Sequence, residues 1–266
     1  MQTVSVIMPI HNEADYLPVS LHSLQQVSFN EYIFILDRCT DSSERLVRQH
    51  FPGAHIIVKT ACKWKNPLAE NFQLGLEASH GNVICTHDAD ATTPLNLLEL
   101  LPLLKNNVAS VAPRLITCKN GSVWNWLYHY WEKTERFAPL GEQPFGAVRL
   151  IRRDCLLKVG GFKDVIAQES LLDVELERLG YKSIIADNMA YIHLRKFSFD
   201  KAVHSQIRAG KMRCQLNQPF WRVLGHSALR LRPFVFYGYI SEKDKKEKGV
   251  DCFQTARMRV PRFAEL

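Results

Sequence analysis

The sequence predicts an α/β fold: a mostly parallel sheet with helices on both faces, followed by a basic helical C-terminal extension. Three observations carry that expectation. Short apolar runs alternate with helix-periodic runs through the first two thirds of the chain, carboxylates collect just after several of those runs, and the composition changes near residue 200.

Residues 4–10 (VSVIMPI) are apolar and too short for a core helix, so they read as a buried strand. In 13–27, Tyr16, Leu17, Leu21 and Leu24 recur at helical spacing. The second strand is expected over 32–36 and the second helix over 41–50, on Leu46 and Val47. A third strand follows at 55–59. Residues 67–79 read as a helix with Pro67 in its first turn and Leu68, Phe72, Leu74 and Leu76 inward. Residues 83–86 form the fourth strand, 94–105 a Leu-rich helix after Thr-Pro, and 108–112 a fifth strand. Strand, helix, strand at this spacing implies right-handed crossovers and a sheet covered on both faces. Beyond residue 112 lie an aromatic segment at 124–137, a Gly/Pro-punctuated stretch at 139–146, the run 148–152, Gly160-Gly161-Phe162 and a helix-like 169–179. That helix ends at Gly180, where a C-cap glycine belongs.

With 266 residues, 46% hydrophobic, 23% charged, 13 Gly and 12 Pro, the chain is neither disordered, nor collagen-like, nor a disulfide miniprotein. Its length suits one large domain with an appendage as well as it suits two domains, and the change of composition puts the divide between 1–200 and 201–266. Seven dispersed cysteines without a C-x-x-C pair argue against a disulfide framework or a cysteine zinc site and favour a reducing compartment. No leader-like segment opens the chain and no uncharged run is long enough to span a bilayer, so a cytoplasmic protein is expected. The net charge of +7 is uneven: residues 201–266 carry 14 basic and 5 acidic side chains, the rest 20 and 22. In 201–239, Arg208, Lys211, Arg213, Arg222, Arg230 and Arg232 interleave with Phe220, Trp221, Phe234, Phe236 and Tyr237. This mixture suits either solvated charge on a helical subdomain or contact with the anionic inner face of a membrane; nucleic acid is the less fitting partner. Trp124, Trp126, Tyr128, Tyr130 and Trp131 read either as a helix packed on the sheet or as a platform for a sugar or lipid acceptor.

In a doubly wound sheet, ligands bind beyond the carboxyl ends of the strands. Here those ends read Pro9-Ile10-His11-Asn12-Glu13, Asp37-Arg38-Cys39-Thr40-Asp41 and His87-Asp88-Ala89-Asp90. Like charges gathered on one rim repel unless a cation intervenes, which points to a divalent metal and a nucleotide. Asp41 alone has the simpler explanation of a helix cap. Asp88 and Asp90, one residue apart after a buried strand, can face a hard cation from one side.

Pro9-x-His11-Asn12-Glu13, Asp37-x-x-Thr40-Asp41, Ala69-x-Asn71, Asp88-Ala89-Asp90 and Arg152-Arg153 with Gly160-Gly161-Phe162, in this order, resemble the family-2 glycosyltransferases of GT-A fold, over about residues 3–195. The resemblance implies inverting transfer of a sugar from a UDP- or GDP-sugar with Mg²⁺ or Mn²⁺. It implies that Pro9, His11, Asn12, Glu13, Asp37, Asp41, Lys65, Asn71 and Asp88 line the donor site, and that Asp90 and His193 hold the metal. The family places its catalytic base about a helix's length before a Gly-Tyr, which implies Glu169 here, with Asp173 one turn further along. Three positions depart from the pattern: Gln168 and Leu171 replace acidic residues, and Glu70 replaces an Arg between Ala69 and Asn71, a loss that Lys63 or Lys65 would have to offset. Two other readings use the same residues. Asp88-x-Asp90-x-Thr92 matches a haloacid-dehalogenase-like phosphatase nucleophile, which would also need a later lysine and an acidic pair, for which Asp187-Asn188 is a poor match. The three departures fit a nucleotide-sugar-binding adaptor without chemistry.

Overall fold

The computed structural model describes residues 2–117, 130–131, 134, 146–195 and 199–247. The chain forms two compact units. The first comprises 1–118, 143–164 and 168–195; the second comprises 119–142, 165–167 and 196–266.

The first unit is a seven-stranded sheet of β1 (Val4–Ile10), β2 (Glu31–Asp37), β3 (His55–Lys59), β4 (Val83–His87), β5 (Val108–Thr117), β6 (Val148–Arg152) and β7 (Lys182–His193), in the order β3-β2-β1-β4-β6-β5-β7. β1 runs parallel to β2 and β4, β2 to β3, and β5 to β7, while β6 is antiparallel to both β4 and β5. The two reversals at β6 cancel. The carboxyl ends of the six other strands therefore emerge on one rim, beside the start of β6.

Alternation along β1 decides the layers. Val4, Val6, Met8 and Ile10 pack with Leu17, Leu21 and Leu24 of α1 (Leu17–Gln25) and Val47 of α2 (Ser43–His50). Ile7 faces the opposite side, with Phe72 and Leu76 of α3 (Pro67–Ala78), Cys155 and Leu156 of α4 (Arg153–Lys158) and Leu172 and Leu176 of α5 (Gln168–Arg178). Both faces are covered, as period-2 pleating of a strand with apolar side chains on both sides requires. Phe162 of the Gly-Gly-Phe motif stacks on Phe72 at 5.3 Å. Gly180 follows α5, with its N–H on the Glu177 carbonyl and that of Tyr181 on Leu176.

Two helices differ from the sequence expectation for reasons of proline chemistry. The run 13–27 becomes helical only at Leu17, after a turn in which the Glu13 carbonyl accepts the N–H groups of Tyr16 and Leu17; Pro18, which lacks an N–H, falls in the first helical turn. The run 94–105 contains a 3₁₀ helix, Leu97–Leu103, because Pro102 removes an α-helical donor and crowds the preceding turn. β7 has no continuous apolar run. Its polar Asp187 and Asn188 fall at an irregularity where pairing to β5 steps from Ala186 opposite Pro113 to Ala190 opposite Arg114.

The second unit contains α6 (Phe199–Gln215), α7 (Phe220–Leu229) and α8 (Pro233–Glu247) around Cys214, Val223, Val235 and Tyr239. α6 and α8 meet backbone to backbone: a Cβ on Gly210 would lie 2.0 Å from the Val235 carbonyl oxygen, and one on Gly238 2.2 Å from that of Ile207. Tyr130 and Trp131 belong to this unit, donating to the Leu229 and Arg230 carbonyls. Trp124, Trp126 and Tyr128 lie outside the described residues. Among the described residues no helix is long and apolar enough to cross a membrane.

Candidate active site

β4 ends at His87, which is fully buried, with its ring between the Asp88 carbonyl (2.9 Å) and Thr93 Oγ1 (2.8 Å). Burial pushes its pKa down to about 4, so at neutral pH it is an uncharged brace for the turn that follows. The Asp88 N–H donates to the Ala147 carbonyl, 2.7 Å away at the start of β6. The segment after Asp88 is then laced to the end of β7: Ala91 bridges His193, the Leu194 N–H donates to the Asp90 carbonyl at 2.7 Å, and the Thr92 N–H to that of Ile192 at 2.9 Å. This short antiparallel ladder sets His193 and Arg195 beside Asp90.

Asp88, Asp90 and His193 each present a ligand atom, all within 4.8 Å of one another. His193 Nε2 is 3.4 Å from Asp90 Oδ1. Burial lowers the His193 pKa, against the pull of Asp90 and with help from Arg195, which favours the neutral imidazole with a free lone pair. The Asp88 carboxyl is pushed up to about 8, first by burial and then by the charges of Glu169, Asp90 and Glu13, with Arg195 opposing. Arg195 spans the rim: Nε donates to Asp90 Oδ2 at 2.5 Å, Nη2 to Glu13 Oε1 at 2.5 Å, and the guanidinium lies 5.2 Å over the Tyr16 ring. Glu169, in the first turn of α5, comes to the same place because residue 146 has no side chain; a Cβ there would stand 2.5 Å from its carboxylate oxygen.

Asp37 does not join this cluster. Its buried carboxylate accepts from Asn71 Nδ2 at 3.0 Å and from Arg38 Nε at 2.8 Å, with Lys59 Nζ at 3.7 Å. Lys59 also donates to Asn71 Oδ1 at 2.6 Å and pairs with Glu70 at 3.1 Å. Glu70 in turn accepts the backbone N–H groups of Lys63 (3.0 Å) and Trp64 (3.1 Å), fixing the loop before α3. The cation that pairs with Glu70 is thus Lys59 of β3. Lys63 and Lys65 are exposed, and Lys65 is anchored through its N–H to Asp164 at 3.1 Å.

The remaining sequence candidates shape the rim. Pro9 is buried in β1 opposite Ile35. His11 Nδ1 meets the Asp37 carbonyl at 2.6 Å. Asn12 adopts φ +53°, a backbone that Asn tolerates better than most residues, and its Oδ1 accepts the Thr40 N–H from the loop after β2 at 2.7 Å. Asp41 accepts the N–H groups of Ala14 (3.0 Å) and Ser43 (2.9 Å), tying the turn after β1 to the start of α2. Asp173 stands apart from Glu169, in a buried ion pair with Arg149, which Ser110 and Ser183 complete. Asp187 pairs with Arg114 at the β5–β7 irregularity and does not serve Asp88. Arg195, Lys59 and Arg149 are the charged residues the sequence reading passed over. Lys59 had a signal, since parallel pairing of β2 with β3 puts it opposite Asp37.

The glycosyl transferase family 2 profile matches residues 5–165. No curated protein matches the chain in sequence. Among solved structures, the chain is similar to a mannosyltransferase from Pyrobaculum calidifontis in complex with GDP-Man and Mn²⁺, with TM-score 0.62 and 17% identity over 96% of this chain and 76% of that one. It is also similar to glucosyl-3-phosphoglycerate synthase from Mycobacterium tuberculosis in complex with Mn²⁺, UDP and glucosyl-3-phosphoglycerate, with TM-score 0.58 and 19% identity over 81% and 78%. A strand order that brings six carboxyl ends to one rim, a D-x-D turn at that rim and a profile match over more than half the chain agree: the chain belongs to glycosyl transferase family 2 and has the GT-A fold of a glycosyltransferase.

Proposed function

We propose that the protein transfers a sugar from a nucleoside-diphosphate donor to a hydroxyl or lipid-phosphate acceptor with inversion, using Mg²⁺ or Mn²⁺ at Asp88, Asp90 and His193. The observation that carries this reading is the convergence of these three side chains within 4.8 Å at the carboxyl rim. Two carboxylates and a neutral imidazole are a donor set that fits either ion. When bound, the ion neutralises charge on the departing diphosphate. The chain's own residues do the rest. His11, Asn12 and Asp37 form the wall on which base and ribose lie, held by the bonds to Thr40, Lys59 and Asn71. Glu169, held in place against Gly146 at the edge of the cluster, takes the proton from the acceptor hydroxyl. Calorimetry with UDP and GDP is expected to show binding of at least one of them in Mn²⁺ and loss of that binding in EDTA. Equal binding with and without metal, or none, refutes the reading.

We further infer that residues 201–239 rest on an anionic bilayer, which would bring the protein to a lipid-linked acceptor. In support, Trp221, Leu229, Leu231 and Tyr237 are exposed in the same unit as Arg222 and Lys211. Each surface cation contributes about 1 kcal/mol on such a membrane. Co-sedimentation with phosphatidylserine vesicles but not with phosphatidylcholine vesicles is the expected outcome; equal pelleting with both, or with neither, rejects it.

A further inference from the structure

We propose that Arg195 is a built-in counter-ion that competes with the divalent cation for Asp90: without metal its guanidinium clamps Asp90 to Glu13, and cation entry displaces it from Asp90. The inference rests on the metal site of the proposed function and concerns what this chain does before that site is filled.

Both oxygens of Asp90 are engaged, Oδ2 by Arg195 Nε at 2.5 Å and Oδ1 facing His193 Nε2 at 3.4 Å. Asp90 is buried, so a cation reaching it meets a carboxylate whose charge is already answered. Two positive groups on one buried carboxylate repel strongly at this range. Arg195 has somewhere to go. Its side chain is 32% exposed, its second fork arm already holds Glu13, and the Tyr16 ring offers it a face. The cluster is also incompletely bonded with Arg195 in place. The Tyr191 hydroxyl is buried among the charges of Asp88, Glu169 and Asp90 and has no hydrogen-bond partner among the described residues. A donor left unused next to three carboxylates marks an arrangement that can be rebuilt around a different cation.

The logic gives the enzyme a folded, charge-balanced rim before metal and donor arrive. The guanidinium stays charged at any accessible pH, so its hold on Asp90 is not released by its own deprotonation.

The test compares wild type with Arg195→Gln and Arg195→Lys, titrated with Mn²⁺ alone while free Mn²⁺ is followed by electron paramagnetic resonance. Arg195→Gln is expected to bind Mn²⁺ at least tenfold tighter than wild type, to melt lower in EDTA and to gain more in melting temperature from Mn²⁺; Arg195→Lys falls between. An Arg195→Gln affinity equal to or weaker than that of a wild type that does bind Mn²⁺ overturns the competition and leaves the metal site standing. Absence of Mn²⁺ binding in every variant, even with nucleoside diphosphate present, overturns the metal site and the competition together. Should Arg195→Gln fail to fold, the ¹⁵N Nε resonance of Arg195 in wild type decides. A shift on adding Mg²⁺ supports displacement, and an unmoved resonance under saturating Mg²⁺ refutes it.

Discussion

Asp90→Ala is expected to lower kcat/KM by on the order of 10³-fold and to abolish Mn²⁺-dependent binding of nucleoside diphosphate. The magnitude follows from what a metal at this position supplies, several kcal/mol of stabilisation of the leaving diphosphate, at about 1.4 kcal/mol per tenfold in rate. Asp90 is the member of the cluster whose loss cannot be absorbed. It is buried, it pairs with both His193 and Arg195, and its backbone carbonyl fastens β7 through Leu194. Alanine keeps that carbonyl, so the ladder survives and the effect reads on the carboxylate. The same substitution leaves Arg195 with Glu13 alone. A steady-state transfer assay beside calorimetry checks the result, and a variant retaining activity within tenfold of wild type would remove the metal role assigned to Asp90.

The parts of this site that were legible from sequence are those set by periodicity and by strand ends. Alternation of apolar runs places Glu13, Asp37 and Asp88 at the ends of parallel strands, and parallel strands must bring their ends to one rim. What the sequence could not supply is how the rim charges are shared. Asp37 and Asp90 look equivalent as acidic strand ends, yet the structure gives Asp37 its own buried lysine and gives Asp90 a guanidinium from 105 positions further along the chain. Lys59 ends its strand in the same register as Asp37, whereas Arg195 arrives only because β6 reverses twice and β7 is stitched to the D-x-D turn. That long-range fact has no local trace. Asp173 shows the converse limit. Helical spacing sets it one turn from Glu169, but Arg149, buried on β6 between Val148 and Leu150, claims it.

Glu169→Gln is expected to reduce kcat by about 10²–10⁴-fold while donor binding stays within a few-fold of wild type, the signature of losing a general base without losing the pocket. Glutamine keeps the shape that fits against Gly146, so the change is in charge and basicity. A second readout needs no substrate. In metal-free protein the Asp88 carboxyl is raised from 3.8 to about 8, with Glu169 the largest of the like charges behind burial. The folded state therefore holds a proton that the unfolded state releases above about pH 4, and this contribution to stability declines as pH rises from about 4 through 8. Removing the Glu169 charge moves the folded-state titration of Asp88 downward. The loss of melting temperature between about pH 5 and 8 in EDTA is then expected to be smaller in Glu169→Gln than in wild type. A slope identical to wild type would separate Glu169 from Asp88, and a kcat within tenfold would assign the proton transfer to another carboxylate.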